Sequence, residues 1–293
     1  MRRQFVRTIE DLLAQDERLV VLLGDIGVFG FRNAINRYPE RVYNIGICEQ
    51  AMASVAAGLA KEGLVPVIHS IAPFVVERCY EQLKVDLCYQ HLSANIVSVG
   101  SSYDYAALGC THHCPGDVAV LRVLPGMEIV VPGAPAEFDR LFRAVYADGR
   151  PTYLRLSERK NELDYPVEFG RAVVVQQGNL ATIIAVGPML SRTLEAVRDL
   201  DVTLLYYTTV VPFDGDTLRE NWRNNRILLV EPYYAGVLVP DIHLALGGAP
   251  IWVEVIGVPH RFLTNYGHAD EHDKAIGFTS ESIRTQIEKF INA

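Results

Sequence analysis

Short runs of consecutive apolar residues alternate, in the first half of the chain, with segments in which apolar residues recur every three or four positions. Continuous runs are typical of buried strands, and the wider spacing is typical of helices. Because the strands carry few polar residues, they predict a parallel sheet covered on both faces. Strands are predicted at 19–23, 42–45, 65–68, 94–99, 128–131 and 152–156, with helices at 4–14, 49–61, 75–89 and 135–147.

A charged and turn-rich segment from Ser157 to Pro166 interrupts this alternation. We therefore expect an α/β protein of two domains: a parallel-sheet domain at residues 1–157, a linker at 158–170 and a smaller α/β domain at 171–293. A length of 293 residues with 49% apolar residues provides enough core for both domains. In the second domain, strands are predicted at 181–186, 202–206, 227–230 and 251–255, with helices at 191–199, 214–221, 237–246 and 280–291.

Charge and composition narrow the choice of partners. The net charge of −8 gives no electrostatic reason to expect nucleic acid or an anionic membrane as a partner. The N-terminus lacks the apolar region of a signal peptide, and no apolar run is long enough to span a bilayer. We expect a cytoplasmic protein with reduced cysteines. Cys110 and Cys114 flank two histidines, but a zinc site needs a further ligand pair, so no metal site is predicted in this chain.

Glu49 is the first candidate for proton chemistry. In open α/β sheets, ligands bind beyond the carboxyl ends of the strands. Glu49 lies between the strand predicted at 42–45 and the helix predicted at 49–61, while His69 and the loop 100–114 follow other strands. The alternative is that Glu49 is simply an acidic residue favoured by the dipole at a helix N-terminus.

Several segments, in the same order along the chain, resemble the pyrimidine-binding domain of transketolases. They are Asp25, 39–50 (PERVYNIGICEQ), 57–60 (AGLA), 78–82 (RCYEQ), 109–112 (GCTH), 117–122 (DVAVLR) and 124–127 (LPGM). Gly187, Glu231 and the run Gly277-Phe278-Thr279 are similar to the family's C-terminal domain. This resemblance covers nearly the whole chain. It implies that a two-carbon ketol unit moves from a ketose to an aldehyde as a thiamine diphosphate adduct.

The part of the family that holds the cofactor's diphosphate is not recognisable in this sequence. Family members use a Gly-Asp-Gly motif followed by an asparagine, on a separate domain, to hold the diphosphate and its divalent metal. Gly24-Asp25-Ile26-Gly27 and Asp148-Gly149-Arg150 lack the expected context. The resemblance therefore implies the C-terminal subunit of a split transketolase. An N-terminal subunit would hold the diphosphate and Mg²⁺, in an α2β2 heterotetramer.

The resemblance also implies catalytic roles for Glu49 and His112. The carboxyl of Glu49 would hydrogen-bond to N1′ of the aminopyrimidine, in an apolar, partner-covered pocket that raises its pKa. His112 matches the histidine of the family's Thr-His pair. It would donate to the developing alkoxide or shuttle a proton. The alternative for His112 is an ordinary loop histidine.

The cofactor ring normally stacks on an aromatic side chain in this family. Phe74 is the predicted stacking ring, although an ungapped alignment puts the family's aromatics at Ala72 and Val75. Ile47 and Arg78 are the other predicted cofactor contacts.

The substrate side departs from sugar-phosphate transketolases. Leu108 takes the place of the usual acidic residue, and Gly100 or Ser101 that of the basic one. Because phosphate recognition normally uses charge-assisted donors, a standard pentose phosphate is not favoured, and a polyhydroxylated, less charged or otherwise modified sugar is expected. For two of the candidates an equal alternative stays open, a scaffolding role for His69 and a salt bridge for Arg155. The predicted substrate contacts are His69, Tyr103, Asp104, His112 and Arg155.

Three functions remain open at this point. The leading hypothesis is the C-terminal subunit of a two-component transketolase. The second is the β subunit of a 2-oxo acid dehydrogenase E1 component, which shares the two-domain plan. The third is a noncatalytic scaffolding subunit, which the presence of both Glu49 and His112 disfavours.

Overall fold

The computed structural model describes all 293 residues. The chain alternates between strands and helices over almost its whole length. Its strands are β1 Leu19–Leu23, β2 Val42–Asn44, β3 Val65–Ile71, β4 Asn95–Val99, β5 Glu128–Val130, β6 Thr152–Arg155, β7 Val173–Gln176, β8 Thr182–Val186, β9 Thr203–Tyr207, β10 Thr209–Val211, β11 Arg226–Tyr234 and β12 Trp252–Val258. Its helices are α1 Arg2–Gln15, α2 Val28–Arg37, α3 Glu49–Lys61, α4 Ala72–Val75, α5 Tyr80–Gln82, α6 Asp117–Leu121, α7 Pro135–Val145, α8 Leu190–Ala196, α9 Gly215–Asn221, α10 Val239–Ala245, α11 Ala269–Ile276 and α12 Ser280–Asn292.

The first sheet has seven strands in the order β10-β5-β6-β4-β3-β1-β2. Strands β1 to β6 pair in parallel, and β10 joins the edge antiparallel to β5. All five residues of β1 are buried, because helices cover both faces of the sheet. Leu19, Val21 and Leu23 pack in one core cluster with Phe5 of α1, and Val20 and Leu22 pack in the other with α3.

The second sheet has five strands in the order β12-β11-β8-β9-β7, all parallel except β7. Each of the two core clusters includes residues from both sheets. The two sheets are therefore packed together rather than separated by an open linker. The expected α/β class, with mostly parallel sheets, is confirmed. The domain bounds at 157 and 171 stay a prediction, and β10 shows that the second half of the chain contributes a strand to the first sheet.

The helix predicted at 75–89 is wrong in its continuous form. The structure has α4 and α5 with a break between them, followed by a π-helical turn at Leu83–Cys88. The break matters because it directs the side chain of Arg78 towards α3. The elements α2, α6, α11, β7 and β10 were not predicted. None of them is longer than ten residues, so few repeats of a periodic pattern fall within each element.

Candidate active site

Glu49 stands at the first position of α3, directly beyond the carboxyl end of β2. A four-residue turn joins the two elements, and Gly46 in this turn has φ +76°. The side chain of Asn44 accepts hydrogen bonds from the backbone N–H groups of Asp25 and Gly46, each at 3.0 Å. These bonds tie the ends of β1 and β2 together. They fix the entry of the chain into α3 and so the position of Glu49.

The carboxylate of Glu49 is fully buried and has two partners. Ser70 at the carboxyl end of β3 donates to Oε1 at 2.8 Å, and Arg78 donates to Oε2 at 2.7 Å. A side-chain carbon at position 24 would lie 3.0 Å from Ser70 Oγ and 3.3 Å from Glu49 Oε1, so Gly24 leaves room for this pair. The apolar pocket expected around Glu49 is therefore corrected, because a guanidinium and a hydroxyl face its two oxygens.

Ser70 and Gly24 were not selected from the sequence. Ser70 directly follows His69 at the end of a predicted strand, where a polar residue in an apolar run was the available indication. The close approach of Gly24 to Ser70 joins β1 and β3, which are distant in sequence, so no local pattern reveals it.

Arg78 connects Glu49 to Phe74 and His112. Its guanidinium carbon lies 4.1 Å from the centroid of the Phe74 ring, in a cation–π contact. The ring of His112 meets Phe74 edge to face, with centroids 5.3 Å apart. Four of the residues expected at the site thus form one continuous group, called here the Glu49–His112 cluster: Glu49, Phe74, Arg78 and His112.

The cluster is open to solvent on one side. The side chain of Arg78 is 35% exposed, whereas that of Glu49 is 1% exposed. Ile47, two residues before Glu49, is 67% exposed. Ile47 and Phe74 provide apolar side chains, and Glu49 a buried carboxylate, on the segments that follow β2 and β3. These residues therefore fit the pyrimidine end of a thiamine cofactor.

His112 lies in a single 3-10 turn, Cys110–His112, that is held by an unusual glycine. Gly109 has φ +72° and ψ −165°, a conformation that is essentially restricted to glycine. A side-chain carbon at position 109 would lie 2.6 Å from the ring of Tyr266, which comes from the second half of the chain. Within the turn, Thr111 Oγ1 and His112 Nδ1 are 3.0 Å apart. The turn is thus positioned both by its own backbone and by the loop before α11.

His69 is placed away from the cluster. It is fully buried on β3, its Nδ1 lies 2.8 Å from the carbonyl oxygen of Val97, and its ring packs 4.8 Å from that of Phe5. Burial lowers the pKa of His69 to about 4. Because Gly27 covers the free edge of the ring, a substrate role is not supported and the scaffolding alternative is favoured.

Tyr103 is also enclosed. The Tyr103 hydroxyl donates to Asp273 of α11 at 2.6 Å, and the guanidinium of Arg159 lies 4.7 Å from its ring centroid. Arg159 and Arg192 each approach the carboxylate of Asp273 within 3 Å, at 2.9 and 2.8 Å. The phenol group therefore belongs to a buried network between the two halves of the chain and is not free to bind a sugar.

Asp104 caps the segment that leaves the first sheet. Its carboxylate accepts from Ser157 Oγ at 3.1 Å and from the backbone N–H of Glu158 at 2.9 Å. Burial raises the pKa of Asp104 to about 6, and Arg159 and these hydrogen bonds oppose the rise. Its oxygens are committed to the chain itself, so the expected substrate contact is replaced by a structural one.

Arg155 forms a buried ion pair. Its Nε donates to Asp117 Oδ2 at 2.7 Å, its Nη2 donates to Ser102 Oγ at 2.7 Å, and only 1% of its side chain is exposed. Tyr153 donates to the same oxygen of Asp117 at 2.8 Å. Of the two alternatives for Arg155, the salt bridge is the one present, and an anion contact would require this pair to break.

No group of three or more His, Cys, Asp or Glu side chains is arranged to hold a metal ion. None of the helices is long and apolar enough to cross a membrane.

Comparisons with known proteins show the family of the chain. The family described as "Transketolase, pyrimidine binding domain" matches residues 1–162. The "Uncharacterized 33.6 kDa protein in fasciation locus" of Rhodococcoides fascians is 37% identical over 98% of this chain and 93% of its own. One of the subunits of the apulose-4-phosphate transketolase of Phocaeicola vulgatus is 29% identical over 93% of this chain and 90% of its own. A solved structure described as "Split gene transketolase, inactive beta4 tetramer" has a TM-score of 0.86 and 25% identity, and the match covers 99% of this chain and 97% of that one.

The chain therefore belongs to the transketolase pyrimidine-domain family, whose members depend on thiamine diphosphate. Within that family it is a C-terminal subunit of the split type, since it matches such subunits along nearly their whole length. Both the family resemblance and the expectation of a split subunit are confirmed.

Proposed function

We propose that this chain is the half of a two-component transketolase that supplies the acid Glu49 and the histidine His112, and that the assembly moves a two-carbon ketol unit from a ketose to an aldehyde. The observation that carries the proposal is the Glu49–His112 cluster, in which a buried carboxylate, an aromatic ring and a histidine lie together beyond the ends of β2 and β3. This arrangement provides a place for a heterocyclic ring and, next to it, a group for proton transfer.

When bound, thiamine diphosphate supplies the carbon nucleophile that accepts and releases the two-carbon unit. Ile47 and Phe74 provide the apolar contact area for the pyrimidine ring and exclude water from it. Glu49 holds a proton against the ring nitrogen N1′. Ser70 fixes the orientation of this carboxyl from the side that faces the sheet.

Arg78 has a positioning role in this proposal. It donates a hydrogen bond to Glu49 and covers one face of Phe74. Because its side chain is 35% exposed, it is the partner of Glu49 that has room to move. We propose that Arg78 turns towards solvent when the cofactor ring enters. This releases one carboxyl oxygen of Glu49 and one face of Phe74 while Ser70 keeps the carboxyl in place.

His112 acts on the substrate side. Its ring lies against Phe74, and Thr111 neighbours its Nδ1. A bond from Thr111 to one ring nitrogen favours one tautomer, so that the other nitrogen faces the substrate oxygens in a defined state. We propose that His112 holds and moves a proton at the hydroxyl oxygen that forms or breaks during ketol transfer.

Activity is proposed to require a second subunit that holds the diphosphate and Mg²⁺. Exposed apolar side chains on α2, on β2 and in the turn before α3 support a protein partner: Phe29 is 80% exposed, Tyr43 42% and Ile47 67%. The solved relative is described as an inactive β4 tetramer, which supports the need for another component. We propose an α2β2 assembly, in keeping with the general preference for symmetry, and a cytoplasmic location.

A modified or non-standard sugar is the proposed substrate. One relative is named for apulose 4-phosphate, which supports a sugar outside the common pentose phosphates. In this chain the arginines nearest the family's anion-binding segment, Arg155 and Arg159, are paired with Asp117 and Asp273. We therefore propose that recognition relies chiefly on the sugar hydroxyls.

Reconstitution tests this function. The chain is combined with its diphosphate-binding subunit, thiamine diphosphate and Mg²⁺, and assayed with ketose plus aldehyde and, separately, with 2-oxo acid plus lipoamide. We expect ketol transfer only, and only when both subunits are present. Turnover of the 2-oxo acid with lipoamide would instead support the E1 alternative, and inactivity of the complete assembly in both assays would support a scaffolding subunit.

A further inference from the structure

A cavity of about 130 Å³ lies between the two halves of the chain, next to the turn that carries His112. Cys110 and His113, on either side of Thr111 and His112, line it from the first half. The loop Arg261–Leu263 closes it from the second half. The cavity and the Glu49–His112 cluster thus share one short segment of chain.

His113 is the most informative residue of this cavity. It is 7% exposed, and its Nε2 has no hydrogen-bond partner in the protein. A buried polar atom that is left unpaired costs free energy, so such an atom in a functional region calls for a partner. Its neighbour is not that partner, since the ring of His272 stands perpendicular to it, with centroids 5.7 Å apart, and His272 Nε2 is also unpaired.

The chemistry of the walls indicates the kind of partner. Burial, together with the neighbouring His272 and His112, lowers the pKa of His113, so the ring is neutral and offers one donor and one acceptor. Glu77, which also lines the cavity, adds a carboxyl acceptor, and the exposed Arg261 adds a donor. A hydroxyl both donates and accepts, so it matches this mixture, whereas Glu77 disfavours an anion.

We propose that this cavity is a subsite for the hydroxyl-bearing tail of the sugar, with His113 as the residue that selects for it. The inference rests on the proposed ketol transfer and deepens it by naming how the far end of the acceptor is bound. The loop Arg261–Leu263 forms part of the substrate pocket, so the second half of the chain takes part in specificity. The volume suits a fragment of several non-hydrogen atoms, whereas the two-carbon aldehyde glycolaldehyde has only two such atoms beyond its reacting carbonyl group.

The test compares a short and a long acceptor in the assembled complex. Hydroxypyruvate is the donor, because it loses CO₂ and leaves only the two-carbon unit, and glycolaldehyde and D-ribose are the acceptors. The readout is the ratio of kcat/KM for ribose to that for glycolaldehyde. In His113→Leu, which removes the ring nitrogens, we expect this ratio to fall about 5- to 10-fold, the effect of one lost hydrogen bond. His113→Gln, which keeps a donor and an acceptor, should restore most of it.

A second variant guards against a simple folding defect. Phe262 lies on the rim and is 75% exposed, so Phe262→Trp should narrow the entrance without disturbing the core, and it should lower the same ratio. The matched control is His243→Leu, an exposed histidine of α10, which should leave the ratio unchanged. An unchanged ratio in both cavity variants would overturn the subsite. Failure of the wild-type complex to use either acceptor would instead refute the ketol-transfer function itself.

Discussion

Replacing Glu49 by glutamine separates the proton of the carboxyl from its size and position. The amide oxygen of glutamine can still accept a hydrogen bond from Arg78, and the Ser70 hydroxyl can rotate to accept from the amide nitrogen. The side chain therefore has partners for both of its ends in the buried site. What the amide cannot reproduce is the negative charge beside Arg78 and the acidic proton that the mechanism requires.

The effect of Glu49→Gln on the rate of ketol transfer should be much larger than its effect on the free energy of unfolding. A positioned acid or base contributes typically about 10²- to 10⁴-fold to the rate, so ketol transfer should fall by that factor. The bond to Arg78 changes from an ion pair to a bond between a charged donor and a neutral acceptor, which is a difference of about 1 kcal/mol. Because the Arg78 side chain is 35% exposed, water recovers part of this, and the free energy of unfolding should fall by less than about 1 kcal/mol.

The assay measures kcat for ketol transfer by the assembled complex and the urea unfolding of this chain alone. Glu62→Gln is the control, since Glu62 follows the last residue of α3 and is exposed. It should leave both quantities unchanged. Glu49→Gln with a kcat within threefold of the wild type would refute the proton-donor role. A large loss of stability together with the loss of activity would show that the carboxylate is structural.

Three further outcomes follow from the buried polar groups and the His112 turn. Arg155→Met leaves the carboxylate of Asp117 buried without its charged partner, so the free energy of unfolding measured in urea should fall by about 3–5 kcal/mol. An Arg155→Met/Asp117→Leu double variant should recover much of this loss. An unaltered stability in the single variant would contradict the salt-bridge role. Burial raises the pKa of Glu231 to about 8 from its ordinary 4.5, so the protonated carboxyl stabilises the fold fully below pH 4.5 and this contribution is lost as the pH rises through 8. Glu231→Gln should therefore lose less stability than the wild type between pH 5 and 8, as measured by thermal unfolding, and parallel pH profiles would argue against a raised pKa. Gly109→Ala places a side-chain carbon 2.6 Å from the Tyr266 ring at a backbone φ of +72°, so kcat should drop at least tenfold through displacement of His112. The Gly109→Ala/Tyr266→Ala double variant should regain part of this activity. Full activity in Gly109→Ala would show that the turn tolerates other conformations.

Several elements of the fold could be predicted from the sequence because local pattern and tertiary environment agree. The apolar run 19–23 is β1, and the small-residue segment 49–61 is α3, with bounds as predicted. The segment 75–89 failed because its apolar spacing fits a helix, while the chain turns between α4 and α5, where Arg78 bonds to the buried carboxylate of Glu49. Periodicity does not register a contact of this kind, which joins residues 29 positions apart.

The candidate site shows the same division. Glu49, Phe74, Arg78 and His112 were identified from motif resemblance and are brought together by the ends of neighbouring strands. The predicted substrate contacts were less accurate than the predicted cofactor contacts. A polar residue in a loop has the same appearance in sequence whether it faces a pocket or an internal partner, and for Tyr103 that partner is 170 positions away.

The sequence by itself determined the alternation of strands and helices, the family and the acid at position 49, because each depends on residues that are close together in the chain. Only the tertiary structure decided which polar groups are free to act. Arg155 is hydrogen-bonded to Asp117, Tyr103 to Asp273 and Asp104 to Ser157. The buried Nε2 of His113, by contrast, has no hydrogen-bond partner. The physical reason is that a buried polar group must be satisfied, and the partner that satisfies it is set by the packing of the two sheets rather than by neighbours in the chain.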